Sequence, residues 1–179
     1  MIFDGVLKVL KGDAWESEFD LSPKGLPRSF IAVALYIPLS FVIARAAVKY
    51  NAVEGYVPYP EIALILVLIA MTFPLIAYTL CSFFNKLENF RPWVITRNWS
   101  VLFVMAAMAA AFGLYVIGLL PFSVAFYIGM FFYLGTLAVD IRLAMRVGGF
   151  DWFGAVFAGV LITVSSMLVL LLGLAQALD

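Results

Sequence analysis

An uncharged run of 42 residues, between Arg97 and Asp140, restricts what this 179-residue chain can fold into. No soluble surface is built from such a stretch, whereas a lipid bilayer can hold it. As a single helix the run would be about 63 Å long, roughly twice the ~30 Å hydrocarbon core, so it has to fold back on itself. The segment 118–123, which contains Gly118 and Pro121, predicts the position of that turn.

Further apolar runs predict an all-α fold, a polytopic transmembrane helical bundle. The runs that approach the required length of about 20 residues give five spans, at 29–48, 61–83, 99–119, 122–142 and 153–177. The first span has to continue through Arg45, whose long side chain can reach toward the membrane surface. Residues 1–28 precede the transmembrane domain 29–179, and the apolar side of residues 2–10 predicts a short interfacial amphipathic helix.

The distribution of Lys and Arg predicts the orientation of these spans. Nine of the eleven basic residues fall on one side of a five-span arrangement, and only Arg45 and Lys49 fall on the other. Because positive residues are retained on the cytoplasmic side, we expect a cytoplasmic N-terminus and an external C-terminus in a bacterial inner membrane.

Composition argues against several classes of function. The formal net charge is zero, so there is no electrostatic case for nucleic acid. The chain contains no histidine, and its single cysteine, Cys81, lies in an apolar run. No phosphate-binding glycine loop, CxxC pair or nucleophile motif is present, so we expect a non-enzymatic protein with no catalytic residues, cofactor or metal site.

A few polar or helix-breaking residues fall within the spans. Pro38 and Pro74 lie mid-way along spans one and two and predict kinks, although broken helices also build transporter sites. Asp140 and Arg142 are candidate interfacial charges, and we expect Asp140 to pair with Arg91 or Arg97 rather than with Arg142. The alternative for Asp140 is a proton or ion pathway. A packing role at the interface predicts that Asp140→Asn leaves folding close to that of the wild type.

Basic and aromatic residues concentrate before span one and in the predicted loop 87–99. Arginine together with aromatic side chains is enriched at protein interfaces and also suits anionic lipid headgroups. These residues therefore suit either a partner protein or a belt of lipid headgroups. The partner hypothesis predicts that Trp93→Ala with Arg97→Ala releases the partner without unfolding the bundle. The candidate interaction residues are Arg28, Arg91, Trp93, Arg97 and Trp99.

Two segments carry a resemblance to known proteins. The segment 20–30 and the segment 96–100 resemble parts of small uncharacterised inner-membrane proteins of alphaproteobacteria. Five spans after a cytoplasmic amphipathic segment also resemble the layout of the Yip1 superfamily. That resemblance implies a non-catalytic membrane organiser that binds partners, and it implies no functional residue.

Two functions follow from these features. The first is a non-enzymatic accessory, scaffold or assembly protein of the inner membrane, which acts through helix and cytoplasmic-loop contacts. The second is a small transporter or channel component, which would need a closed oligomer because five spans hardly enclose a pore. The expected partners are the lipid bilayer and either another membrane protein or further copies of the chain.

Overall fold

The computed structural model describes residues 2–51 and 57–178. Within those ranges the chain forms six α-helices, a single 3₁₀ turn at Glu16–Glu18 and no strand. The helices are α1 (Ile2–Lys11), α2 (Gly25–Tyr50), α3 (Tyr59–Phe83), α4 (Leu87–Val116), α5 (Phe122–Arg146) and α6 (Trp152–Leu178).

Helices α2 to α6 are each long and apolar enough to cross a membrane, which confirms the predicted number of such segments. Large apolar side chains such as Leu75, Phe131 and Phe153 are exposed along them. The bundle is therefore an all-helical fold with an apolar exterior.

Helix α4 differs most from its predicted bounds, because it begins at Leu87 instead of residue 99. The expectation that residues 87–99 form a loop is wrong. Pro92 and the charged residues of this segment do not interrupt the helix, and Trp93 to Asn98 are buried. Asp140 and Ser29, in other helices, bond Arg97 and Asn98, two polar side chains that would otherwise exclude this segment from the interior.

Helices α3, α4, α5 and α6 form a ring, in which α6 packs against both α5 and α3. Helix α2 packs on the outside of this ring, mainly against α4, and α1 lies against α4 and α5. Short connections make successive long helices antiparallel. We call the end where α2, α4 and α6 begin the basic end, because it carries nine of the eleven Lys and Arg residues.

The predicted turn near Gly118 is present between α4 and α5. Gly118 has a φ of +84°, a conformation that glycine adopts without strain. Its N–H donates to the carbonyl of Tyr115, and the N–H of Leu119 donates to that of Leu114. These bonds satisfy carbonyls that the end of α4 would leave open, and they reverse the chain within a few residues.

The two prolines inside α2 and α3 interrupt neither helix. Pro38 lies within Gly25–Tyr50 and Pro74 within Tyr59–Phe83, and both helices are continuous. Each proline still removes one backbone donor from its helix, so local bends at these two positions stay a prediction.

Helix α1 is held against the bundle by two arginines of α5. Arg142 donates to the carbonyls of Leu10 (3.0 Å) and Lys11 (3.3 Å), and Arg146 donates to that of Gly12. The carbonyls at and just beyond the end of a helix lack intrahelical partners and carry partial negative charge, so cations suit them. Arg142 therefore serves the attachment of α1 and makes no bond with Asp140.

Packing also attaches α1 to the bundle, and an ion pair joins it to the 3₁₀ turn. Val6 and Val9 of α1 are buried in the main hydrophobic core, and Lys8 pairs with Glu18. The Lys8 ammonium lowers the pKa of the Glu18 carboxyl to about 2, so this pair remains ionised at any physiological pH. The bundle supports α1, and a position of α1 at a membrane interface stays a prediction.

We expect Arg142→Gln with Arg146→Gln to loosen α1. A net contribution of about 1.5 kcal/mol from the lost charge-assisted bonds corresponds to roughly tenfold faster amide hydrogen exchange in residues 2–11. Exchange in the middle of α5 should not change. The matched control is Arg45→Gln, which removes an exposed arginine that bonds to no described residue. Equal exchange in the double variant and the control would show that the arginines do not hold α1.

Candidate functional site

A buried ion pair joins α4 to α5. Arg97 Nε lies 2.7 Å from Asp140 Oδ1, and Arg97 Nη2 lies 3.1 Å from Asp140 Oδ2. The two side chains are only 11% and 4% exposed. This two-point contact fixes the guanidinium and the carboxylate in one plane, which is the strongest geometry available to such a pair.

The pair also touches a third helix of the ring. The guanidinium carbon of Arg97 lies 4.2 Å from the ring centroid of Phe73 in α3, within the range of a cation–π contact. Asp140 lies 18 residues after the start of α5 and six before its end, or about 9 Å from the basic end along the helix. The pair therefore lies inside the bundle, about two turns from its basic end.

A second polar contact joins α4 to α2 nearby. Asn98 Nδ2 donates to Ser29 Oγ over 2.9 Å, and the Ser29 hydroxyl donates to the carbonyl of Leu26. Thr96 donates to the carbonyl of Pro92 over 2.9 Å, and Ser100 donates to that of Thr96. Thr96, Asn98 and Ser100 of early α4 thus each have a hydrogen-bond partner within the protein, as burial requires.

A partly open cavity of about 210 Å³ lies beside the ion pair, and all five long helices contribute to its wall. Most of the wall is apolar and includes Leu66, Met105, Met108 and Met167. The polar side chains that line it are Arg97, Asp140, Tyr36, Tyr133, Thr136, Thr163 and Ser166.

Several of these polar groups are not committed to the protein. Arg97 Nη1 donates to none of the described residues, and it is still accessible to a molecule the size of water. Thr136 donates to the carbonyl of Tyr133 over 2.6 Å, as threonines in apolar helices commonly do. No bond to a described residue involves the hydroxyls of Thr163 and Ser166. The cavity therefore presents free hydrogen-bond donors beside a neutralised charge.

The predicted interaction residues do not form one surface. Trp93 is fully buried against Phe73 and Phe150, and Arg97 is engaged by Asp140, so neither offers a surface to a partner. The prediction that both lie on an exposed loop is wrong, because α4 begins before them and carries them into the interior.

The remaining interaction residues lie at the basic end. Arg28 is exposed and pairs with Asp20 over 3.1 Å, and Trp99 is half-buried. Arg91 borders a surface groove, whose other members are Leu21, Leu26, Leu87, Glu88, Phe90 and Pro92. Of the predicted interaction residues, only the exposed Arg28 and the partly exposed Arg91 and Trp99 are therefore available to a partner.

Sequence reasoning missed the hydroxyl groups of the cavity. Tyr133, Thr136 and Asp140 are spaced i, i+3 and i+7 in α5, and Thr163 and Ser166 are three apart in α6. Residues at these spacings share one face of a helix. The pattern of polar residues within two apolar spans was therefore a usable signal.

Comparison with known proteins adds no relative. No protein-family model matches the chain, and neither a curated protein nor a solved structure does. The Yip1-like layout accordingly stays a prediction. Among the described residues, no group of three His, Cys, Asp or Glu side chains is placed to hold a metal ion.

Proposed function

We propose that this chain is a non-enzymatic, multi-pass protein of a bacterial inner membrane that holds a small molecule inside the α3–α6 ring. The observation that carries the proposal is the buried Arg97–Asp140 pair, which lines an otherwise apolar cavity. Ionisable groups within apolar spans are costly and usually functional, and a buried pair is often no more stable than apolar residues of similar size. A molecule bound inside the ring would account for this buried pair, because packing alone does not require one.

The proposed orientation has a cytoplasmic N-terminus and a periplasmic C-terminus. It rests on the nine Lys and Arg residues at the basic end, against Arg45 and Lys49 at the opposite end. A C-terminal alkaline phosphatase fusion should therefore be active, and a C-terminal green fluorescent protein fusion should be dark. An inactive phosphatase with a bright fluorescent fusion would reverse the orientation.

The binding function predicts a molecule that co-purifies with the chain. Extraction from native membranes directly into nanodiscs, followed by mass spectrometry of the solvent extract, should find a compound near one copy per chain. Ser166→Leu fills the cavity and should reduce that compound at least tenfold. Ser165→Leu is the matched control, because Ser165 is the next residue of α6 and does not line the cavity.

Fold integrity in both variants is followed by circular dichroism and gel filtration. Identical extracts from the folded Ser166→Leu and Ser165→Leu proteins would contradict binding in the cavity. A compound that is released only by Ser166→Leu would support it. Flux of that compound in liposomes would then assign the chain to small transporters, as a single chain or an oligomer.

A second candidate function is that of an accessory or scaffold protein. It is favoured by the groove beside Arg91, whose wall combines apolar side chains with exposed charge at the proposed cytoplasmic end. The same native-membrane preparation separates the two functions. A stoichiometric membrane-protein partner that is lost in Arg28→Ala with Arg91→Ala would favour the accessory function.

A further inference from the structure

The polar groups of the cavity include hydrogen-bond donors that no described residue accepts. Arg97 Nη1 carries two N–H groups that no described residue accepts, and Thr163 and Ser166 add uncommitted hydroxyls. A molecule in the cavity therefore meets the unused N–H donors of Arg97 and hydroxyls that can donate or accept. Both oxygens of the Asp140 carboxylate are already engaged by Arg97.

The charge at this site is already balanced. Arg97 and Asp140 neutralise each other at 2.7 Å, so an anion would enter an apolar cavity without a free counter-charge. A cation would in addition meet the guanidinium. Burying an uncompensated ion in apolar surroundings is strongly unfavourable, which favours a neutral molecule.

The cavity is partly open, so its volume sets the size of the part of a ligand that lies inside it. An apolar protein cavity of about 150 Å³ accommodates benzene, which has six heavy atoms. By proportion, a cavity of about 210 Å³ accommodates roughly eight or nine. Met105, Met108 and Met167 line it, and flexible thioether side chains adapt readily to hydrocarbon of varied shape.

We propose that the cavity binds a neutral, largely hydrocarbon molecule with one carbonyl-type acceptor, which hydrogen-bonds Arg97 Nη1 while its chain packs along the methionines. This inference rests on the proposed binding function and specifies the chemical class of its ligand. It distinguishes ketones and esters from the fatty acids and alkylamines of the same length.

Four probes of equal chain length test this assignment: octan-2-one, octanoate, octylamine and octane. Each is radiolabelled and equilibrated by dialysis with the full-length protein in lipid nanodiscs, and binding to empty nanodiscs is subtracted. We expect octan-2-one to bind at about one per chain and at least tenfold more tightly than the other three. Ser166→Leu should abolish its binding, and Ser165→Leu should preserve it.

An infrared measurement tests whether the carbonyl oxygen of the bound ketone accepts a hydrogen bond. The infrared stretch of ¹³C-labelled octan-2-one should shift to lower frequency when the ketone binds, because its oxygen accepts from the guanidinium. The shift should be absent with Ser166→Leu. If Ser166→Leu does not fold, Met105→Trp fills the same cavity from α4 and replaces it.

The outcomes separate the ligand class from the binding function. Tighter binding of octanoate, octylamine or octane that Ser166→Leu abolishes would overturn the ligand class and leave the cavity as a binding site. Binding of every probe that is equal in Ser166→Leu and Ser165→Leu, or no binding of any probe, would overturn both. Cavity-dependent binding of octan-2-one without an infrared shift would overturn its contact with Arg97.

Discussion

Asp140→Asn is expected to lower the free energy of unfolding by about 3–5 kcal/mol, as removal of one partner from a buried pair does elsewhere. The substitution leaves the Arg97 guanidinium buried in α4 without its counter-charge. From the sequence alone, a packing role predicted folding close to that of the wild type. The burial of both side chains reverses that expectation.

A double variant separates the cost of an unpaired charge from the value of the pair. Arg97→Met with Asp140→Leu removes both charges and should recover most of the lost stability, because apolar replacement of a whole pair is often neutral. Asp20→Asn is the matched control, since it disrupts the exposed pair with Arg28 and should change unfolding little. Denaturant titration in mixed micelles, followed by circular dichroism, measures all three. An Asp140→Asn protein as stable as the control would show that the pair contributes no buried charge interaction.

Trp93→Ala is the second substitution with a large expected effect, again about 3–5 kcal/mol. The indole is fully buried, and its ring centroid lies 5.5 Å from those of Phe73 and Phe150. Truncation leaves a cavity at the junction of α3, α4 and the segment before α6. The matched control is Trp152→Ala, because Trp152 is 57% exposed and should tolerate the change.

Trp93→Phe refines this test. Trp93 Nε1 is buried and has no hydrogen-bond partner among the described residues, so removal of the N–H costs nothing in bonding. The phenylalanine variant should therefore lose much less stability than the alanine variant. Equal losses in the two variants would contradict the packing argument.

These two effects also change how the accessory function can be tested. The double variant Trp93→Ala with Arg97→Ala, suggested by the sequence, removes a core aromatic and half of a buried ion pair. It should unfold rather than release a partner. Arg28 and Arg91 lie at the surface or border the groove there, and are the better positions for that question.

The long helices could be predicted from the sequence because each contains an apolar run that reaches or approaches the required length. The turn at Gly118 and Pro121 could also be predicted, because the backbone conformations of these two residues favour a turn locally. The ends of the helices were less predictable where charged residues are buried inside the bundle. Helix α4 begins 12 residues before its predicted start because Arg97 is neutralised by Asp140, 43 residues away in sequence.

The cavity could be predicted only in part. The spacing of Tyr133, Thr136 and Asp140 places them on one face of α5, but it does not specify which helix that face meets. These residues lie beside Thr163 and Ser166 because α6 packs against α3 and closes the ring. Such long-range packing has no local signal in a single sequence.

The contacts of α1 also determine the order in which the chain can assemble. Arg142 follows Leu10 by 132 residues, so a ribosome that adds about 5–20 residues per second makes the arginine roughly 7–26 s after the helix it binds. A ten-residue helix is too short to persist alone during that time. Helix α1 is therefore synthesised well before the two arginines that attach it to α5.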